Sequence, residues 1–166
     1  MLFRSARGGA SASGMRSRRR GYTLVEILLA LTILGVLIAL AMVSYTSYRE
    51  RADLARAVAD IAVLSASMTE FRNEYGRFPT DLAEVGADRM RDPWGNAYQY
   101  IDHTDSTKSG HWRKDKNIHP INSDFDLYSM GKDGASVAPL TAKPSRDDII
   151  RANDGAFIGL ASKYDP

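Results

Sequence analysis

The chain has 166 residues, with 22 Lys and Arg against 20 Asp and Glu, three His and no Cys. The length admits one domain with an added segment, an apolar fraction of 44% excludes wholesale disorder, and the lack of Cys excludes disulfides and thiolate metal sites. The net charge of +2 is unevenly spread: residues 1–21 carry six Arg and no acid, leaving 16 basic against 20 acidic side chains in 22–166, a balance that disfavours nucleic-acid binding.

Segment 1–14 is rich in Gly, Ala and Ser and lacks an apolar period, so it is predicted to be disordered. Next come Arg16, Arg18, Arg19 and Arg20, and then the window 24–43, whose only charge is Glu26. Twenty helical residues at about 1.5 Å each reach about 30 Å, the thickness of a bilayer's hydrocarbon core. A membrane span is therefore predicted. The arginines lie on its N-terminal side, whereas Arg49 and Arg51 on the other are offset by Glu50 and Asp53. Positive flanks stay cytoplasmic, which puts the N-terminus inside and residues after about Tyr45 outside. The apolar run is too long for an ordinary cleaved secretory signal, and no Pro or Gly separates it from Tyr45-Thr46-Ser47-Tyr48-Arg49. Glu26 is the anomaly, since a carboxylate within a span costs about 3 kcal/mol on insertion scales. Either it lies close enough to the interface to stay hydrated, or it meets a positive partner on assembly.

Helix continues over 46–75. Ala57, Ile61, Leu64, Met68, Phe71 and Tyr75 recur at alternating steps of four and three, one apolar stripe for a core, and Gly76 and Pro79 stop it. A helical turn is expected near 81–85. The run Asp92-Pro93-Trp94-Gly95-Asn96 reads as a turn, and a strand is expected to begin at Tyr98, Tyr100 and Ile101. Residues 102–124 are polar, with a hairpin expected around Ser109-Gly110. Alternation marks a strand at 125–129, and Gly131 and Gly134 open a long loop through Pro139 and Pro144. The aromatics Trp94, Tyr98, Tyr100 and Trp112 are expected to pack on the helix. His103, His111 and His119 are spaced by eight, which fits no zinc motif. No phosphate loop or nucleophile triad stands in motif context, so catalysis is not indicated.

Arg20-Gly21-Tyr22-Thr23-Leu24-Val25-Glu26 resembles the class III signal of type IV pilins and type II secretion pseudopilins. The resemblance implies cleavage by a prepilin peptidase between Gly21 and Tyr22 and N-methylation of Tyr22, where the family usually has Phe. It makes Glu26 the fifth mature residue, paired with a neighbouring subunit's new amine in a filament. The leader is 1–21, or seven residues if translation starts at Met15. Residues 22–45 would be membrane anchor and filament core, and 46–166 a periplasmic domain. The Pro that the family often carries late in the apolar helix is missing.

Farther along, Asp92-Pro93-Trp94-Gly95-Asn96-Ala97-Tyr98 and Ser129-Met130-Gly131-Lys132-Asp133-Gly134 are similar to the G-type major pseudopilin of type II secretion. The implied fold is α+β and pilin-like, a long N-terminal helix on a small antiparallel sheet with a C-terminal loop region. The implied function is a non-enzymatic subunit that homopolymerises into a periplasmic pseudopilus on an inner-membrane platform, with minor pseudopilins as partners. The alternatives are an extracellular type IV pilus subunit and a tethered binding module that never polymerises. The resemblance further implies a Ca²⁺ site built from Asp133, Asp147, Asp148 and the Met130 carbonyl, with Asp126 and Asp154 as possible substitutes. Without it, Asp133 reads as a turn residue and Asp147 as a helix N-cap with Asp148 next in the helix.

Overall fold

The computed structural model describes residues 21–166, so segment 1–14, Met15 and the arginines at 16, 18, 19 and 20 lie outside it. The described residues divide into two units, the first ending at Val43 and the second Ser44–Pro166.

The first element is α1, Leu24–Tyr75, of 52 residues. Its start has a local cause. Thr23 Oγ1 accepts the N–H of Glu26 at 3.2 Å, and the Thr23 carbonyl accepts the N–H of Ile27 at 3.1 Å. That is one half of a Ser/Thr-x-x-Glu capping box. The end is equally local. Gly76 takes φ +73° and its N–H returns to the Arg72 carbonyl at 2.8 Å, the left-handed closure that favours Gly.

Among the described residues four strands follow α1: β1 Gln99–Asp102, β2 Phe125–Ser129, β3 Ile149–Ala152 and β4 Phe157–Leu160. They form one antiparallel sheet in sequence order, with Tyr100 opposite Leu127, Ser129 opposite Ile149, and Ile150 opposite Gly159. The fold is thus α+β, a long helix packed on a four-stranded antiparallel sheet.

Strand alternation gives the sheet two covered faces. Phe125, Leu127 and Ile149 join Ala57, Ile61, Leu64 and Met68 of α1 in one core. Ile150 and Ala152 point the other way, into a second cluster with Ile121, Leu140, Ala161 and Tyr164. The C-terminal loops therefore form a third layer over the sheet. Arg151 reinforces the helix side: its guanidinium forks onto Asp124 at 2.7 Å through both nitrogens, its Nε donates to Ser65 Oγ on α1 at 3.0 Å, and its plane lies 4.0 Å from the Phe125 ring centroid.

Several expectations need correction. The apolar stripe of α1 leaves the core early, with Phe71 half-buried and Tyr75 59% exposed. Instead of a hairpin near Ser109-Gly110 there is a 3₁₀ turn, Ser106–His111, whose first turn is capped by the Asp105 carboxylate accepting the Thr107 N–H at 3.1 Å. Trp112 stacks on His103 at 4.6 Å between centroids, away from the helix core. Strands β3 and β4 were not expected at all. The helical turn after Asp81 does form, as Leu82–Val85.

Candidate assembly segment and candidate metal loop

The residues singled out for processing and assembly lie at the start of α1. Gly21, Tyr22 and Thr23 are outside the helix, and Glu26 is an exposed acid in its first turn, where the helix dipole favours negative charge. Around and beyond it stand 13 large apolar side chains, Leu24 and Val25 before it and 11 from Ile27 to Met42, each 46–77% exposed. At about 1.5–3 kcal/mol for a full burial, scaled to the exposure that remains, they are worth roughly 12–23 kcal/mol. A domain's whole net stability is only about 5–15 kcal/mol. Water therefore cannot be this segment's working solvent, and the helix is apolar and long enough to be anchored in a membrane.

The second candidate is the loop from β2 to β3. It is gripped from the helix side by the Asp92 turn. Asp92 Oδ1 accepts the N–H groups of Trp94 and Asn96 at 3.0 and 2.8 Å. Its Oδ2 accepts the Ser129 hydroxyl at 2.5 Å, Ser129 Oγ accepts the Gly131 N–H at 3.1 Å, and Asn96 Nδ2 donates to the Gly131 carbonyl at 2.8 Å. Gly131 has φ +65°, and a Cβ there would collide with the Asp147 carbonyl and lie 2.7 Å from Asp147 Oδ2. The Asp-Pro-Trp-Gly-Asn turn thus serves as the mould for the Ser129–Gly131 bend.

The expected calcium ligands do not converge. Asp147 Oδ2 accepts the backbone N–H groups of Lys132 and Asp133 at 2.9 and 3.1 Å. Asp133 Oδ1 accepts the Ala135 N–H at 2.8 Å, the turn role weighed as the alternative. Asp148 is fully buried on the opposite side, with Oδ2 accepting from Arg113 Nη2 at 2.5 Å and Ser136 Oγ at 2.6 Å. Burial pushes its carboxyl up to about 6, even with Ser136 and Arg113 favouring the charged form. The helix N-cap alternative fails as well, because Asp147 and Asp148 lead into strand β3. Asp126 is occupied by Arg113 N–H at 2.6 Å and Asn122 Nδ2 at 2.9 Å, and Asp154 by Ser123.

Calcium takes six to eight oxygens. Here the Asp147 oxygen is filled by N–H donors. Asp148 Oδ1 is buried without a partner, yet any ion there would share its carboxylate with a buried guanidinium, and like charges that close repel. No three His, Asp or Glu side chains gather into a metal site among the described residues. As arranged, these residues do not fit calcium. Arg113 is what the sequence did not reveal. It sits in a polar run, Trp112-Arg113-Lys114-Asp115, and only its 1% exposure in the folded chain separates it from surface charge.

Comparison with known proteins supplies the context. Residues 16–42 match the prokaryotic N-terminal methylation motif. The type II secretion system core protein G of Dickeya chrysanthemi is 32% identical over 157 residues, covering 82% of this chain and 87% of the relative. The protein of the same name from Aeromonas hydrophila is 28% identical over 142 residues, 72% of this chain and 87% of the relative. A fimbrial protein of Neisseria meningitidis is 24% identical over 154 residues, 89% and 88% of the two chains. No solved structure matches.

Proposed function

We propose, because this chain belongs to the type II secretion system core protein G family, that it is a structural subunit that polymerises into a periplasmic pseudopilus. A prepilin peptidase cuts between Gly21 and Tyr22, and Tyr22 becomes N-methylated. The mature chain waits in the inner membrane with its N-terminus at the cytoplasmic face. On assembly the helix moves from lipid into a core of copies of itself, aided by the secretion platform and minor pseudopilins. The subunit needs no catalytic residue for this.

The observation that carries this reading is the junction at Thr23–Glu26. A capped helix start places one carboxylate in the first turn, four residues after the predicted new N-terminus and ahead of 11 exposed apolar side chains. An unpaired charge moved into an apolar filament core is costly, and pairing with a neighbour's amine removes the cost. Glu26 is thereby an alignment mark between subunits.

Replacing Glu26 with Val tests it. The subunit should still be processed and membrane-bound but should not form filaments or support export. Unchanged filaments would remove the pairing role. Mass spectrometry of the mature chain should give a mass that begins at Tyr22 with one added methyl; any other N-terminus refutes the cut. The fimbrial relative favours a second reading, a subunit of an extracellular pilus. Filaments longer than the periplasm on wild-type cells would select it.

A further inference from the structure

We propose that the Arg113 guanidinium is a built-in cation that closes the C-terminal loop of this chain, replacing the calcium ion implied by the resemblance. The inference concerns the folding of Ser44–Pro166 and stands apart from the assembly reading, so either can fail alone.

Position is the first argument. Arg113 Nη2 binds Asp148 Oδ2 at 2.5 Å, and Nη1 binds Ser136 Oγ and the Val137 carbonyl, each at 2.6 Å. One positive charge thus gathers three oxygens from both sides of the loop that would have to wrap the metal. A loop-closing ion does the same thing with a different donor.

Burial is the second. Arg113 is 1% exposed and Asp148 fully buried. Its guanidinium also lies 4.3 Å from the centroid of the Tyr128 ring on the outer face of β2, and its own N–H donates to Asp126. A surface arginine would not be held on the sheet by backbone, ring and carboxylate together. The neighbouring backbone completes the layer: Lys114 N–H donates to the Ala138 carbonyl at 3.1 Å, Leu140 N–H to the Lys114 carbonyl at 2.9 Å, and Ala161 N–H to the Asp148 carbonyl at 2.8 Å.

Competition is the third. Asp148 Oδ2, on the residue the resemblance makes a metal ligand, is taken by Arg113 and Ser136, while Asp147 Oδ2 and Asp133 Oδ1 are taken by backbone N–H groups. An arginine fork satisfies a carboxylate and a carbonyl at fixed angles without depending on ion supply.

The test uses the mature full-length chain in detergent. Its melting temperature is measured in millimolar calcium and in chelator. A ligand that binds only the folded form must raise melting, so the expected shift is under about 1 °C. A saturable rise of several degrees with calcium overturns the proposal. Arg113→Met removes one partner of a buried pair and should lower melting by about 10 °C or more. Arg113→Lys, which keeps the charge but loses the fork, should fall between. An Arg113→Met chain that melts like the wild type also overturns the proposal. Should that variant not accumulate, the wild-type calcium comparison decides alone.

Discussion

Asp92→Ala is the sharpest probe of how the Asp-Pro-Trp-Gly-Asn turn shapes the loop beyond β2. The carboxylate is 4% exposed and accepts from Trp94 N–H, Asn96 N–H and the buried Ser129 hydroxyl. Hydrogen bonds to a carboxylate are worth about 1.5–3 kcal/mol each, which sets a ceiling near 9 kcal/mol. The two turn amides are only partly buried, so water can serve them after truncation. Counting the Ser129 bond in full and the turn bonds in part gives a loss of about 3–5 kcal/mol. Asp92→Asn keeps the Oδ1 acceptor for both amides and turns only the Ser129 contact around, so it should cost about 1–2 kcal/mol. Urea unfolding of the full-length chain in detergent, monitored by tryptophan fluorescence, would measure both. A loss below about 1 kcal/mol for Ala, or equal losses for Ala and Asn, would refute the claim that this carboxylate holds the bend.

Three more outcomes are expected. Arg151→Met leaves Asp124 beside β3 without its fork and frees Ser65 on α1. It should cost about 3 kcal/mol, and a loss within 0.5 kcal/mol, roughly the surface-substitution level, would refute the role. Gly131→Ala combines a φ of +65° with a collision at Asp147 and should cost about 2–4 kcal/mol in the same unfolding assay; a neutral result would contradict the packing described. Arg77 forks onto Glu84 at 2.9 Å and, with the Thr80 N–H, holds the Glu84 carboxyl down to about 2 from its ordinary 4.5. A depressed acid stabilises fully above its unfolded value, so the wild type's advantage over Glu84→Gln should be complete above pH 4.5 and vanish as pH falls towards 2. An advantage that grows on acidification would reverse that sign.

Sequence legibility tracked the range of the interactions. The α1 stripe as far as Met68, the Gly76 stop, the turn at Asp92 and strands β1 and β2 are written in local spacing, and all were readable. Ile149 and Ile150 fall on opposite faces of β3, so two adjacent apolar residues gave no alternation to detect. In β4, Gly159 interrupts a four-residue run, and a Cβ there would come 3.1 Å from the Phe157 ring. Alternation at 125–129 marks the strand but not its surroundings: Asp126 and Tyr128, on the face away from the helix, are covered by the loop layer. Arg113 and Arg151 escaped because their carboxylates lie 35 and 27 residues away, beyond any motif. The apolar span and the odd charge at Glu26 were readable from composition, whereas the processing role of Gly21 and Tyr22 came only through resemblance.

The capping threonine has a bearing on proteolysis. Peptidases grip their substrates as extended strands, and helical backbone has its N–H and C=O groups already engaged. Gly21, Tyr22 and Thr23 are outside α1, whereas Leu24 begins it. The Thr23 hydroxyl therefore draws the border between chain that an enzyme can thread and chain that only lipid or a sister helix can receive. With the proposed cut two residues ahead of that border, the leader can be removed without unwinding a single helical turn.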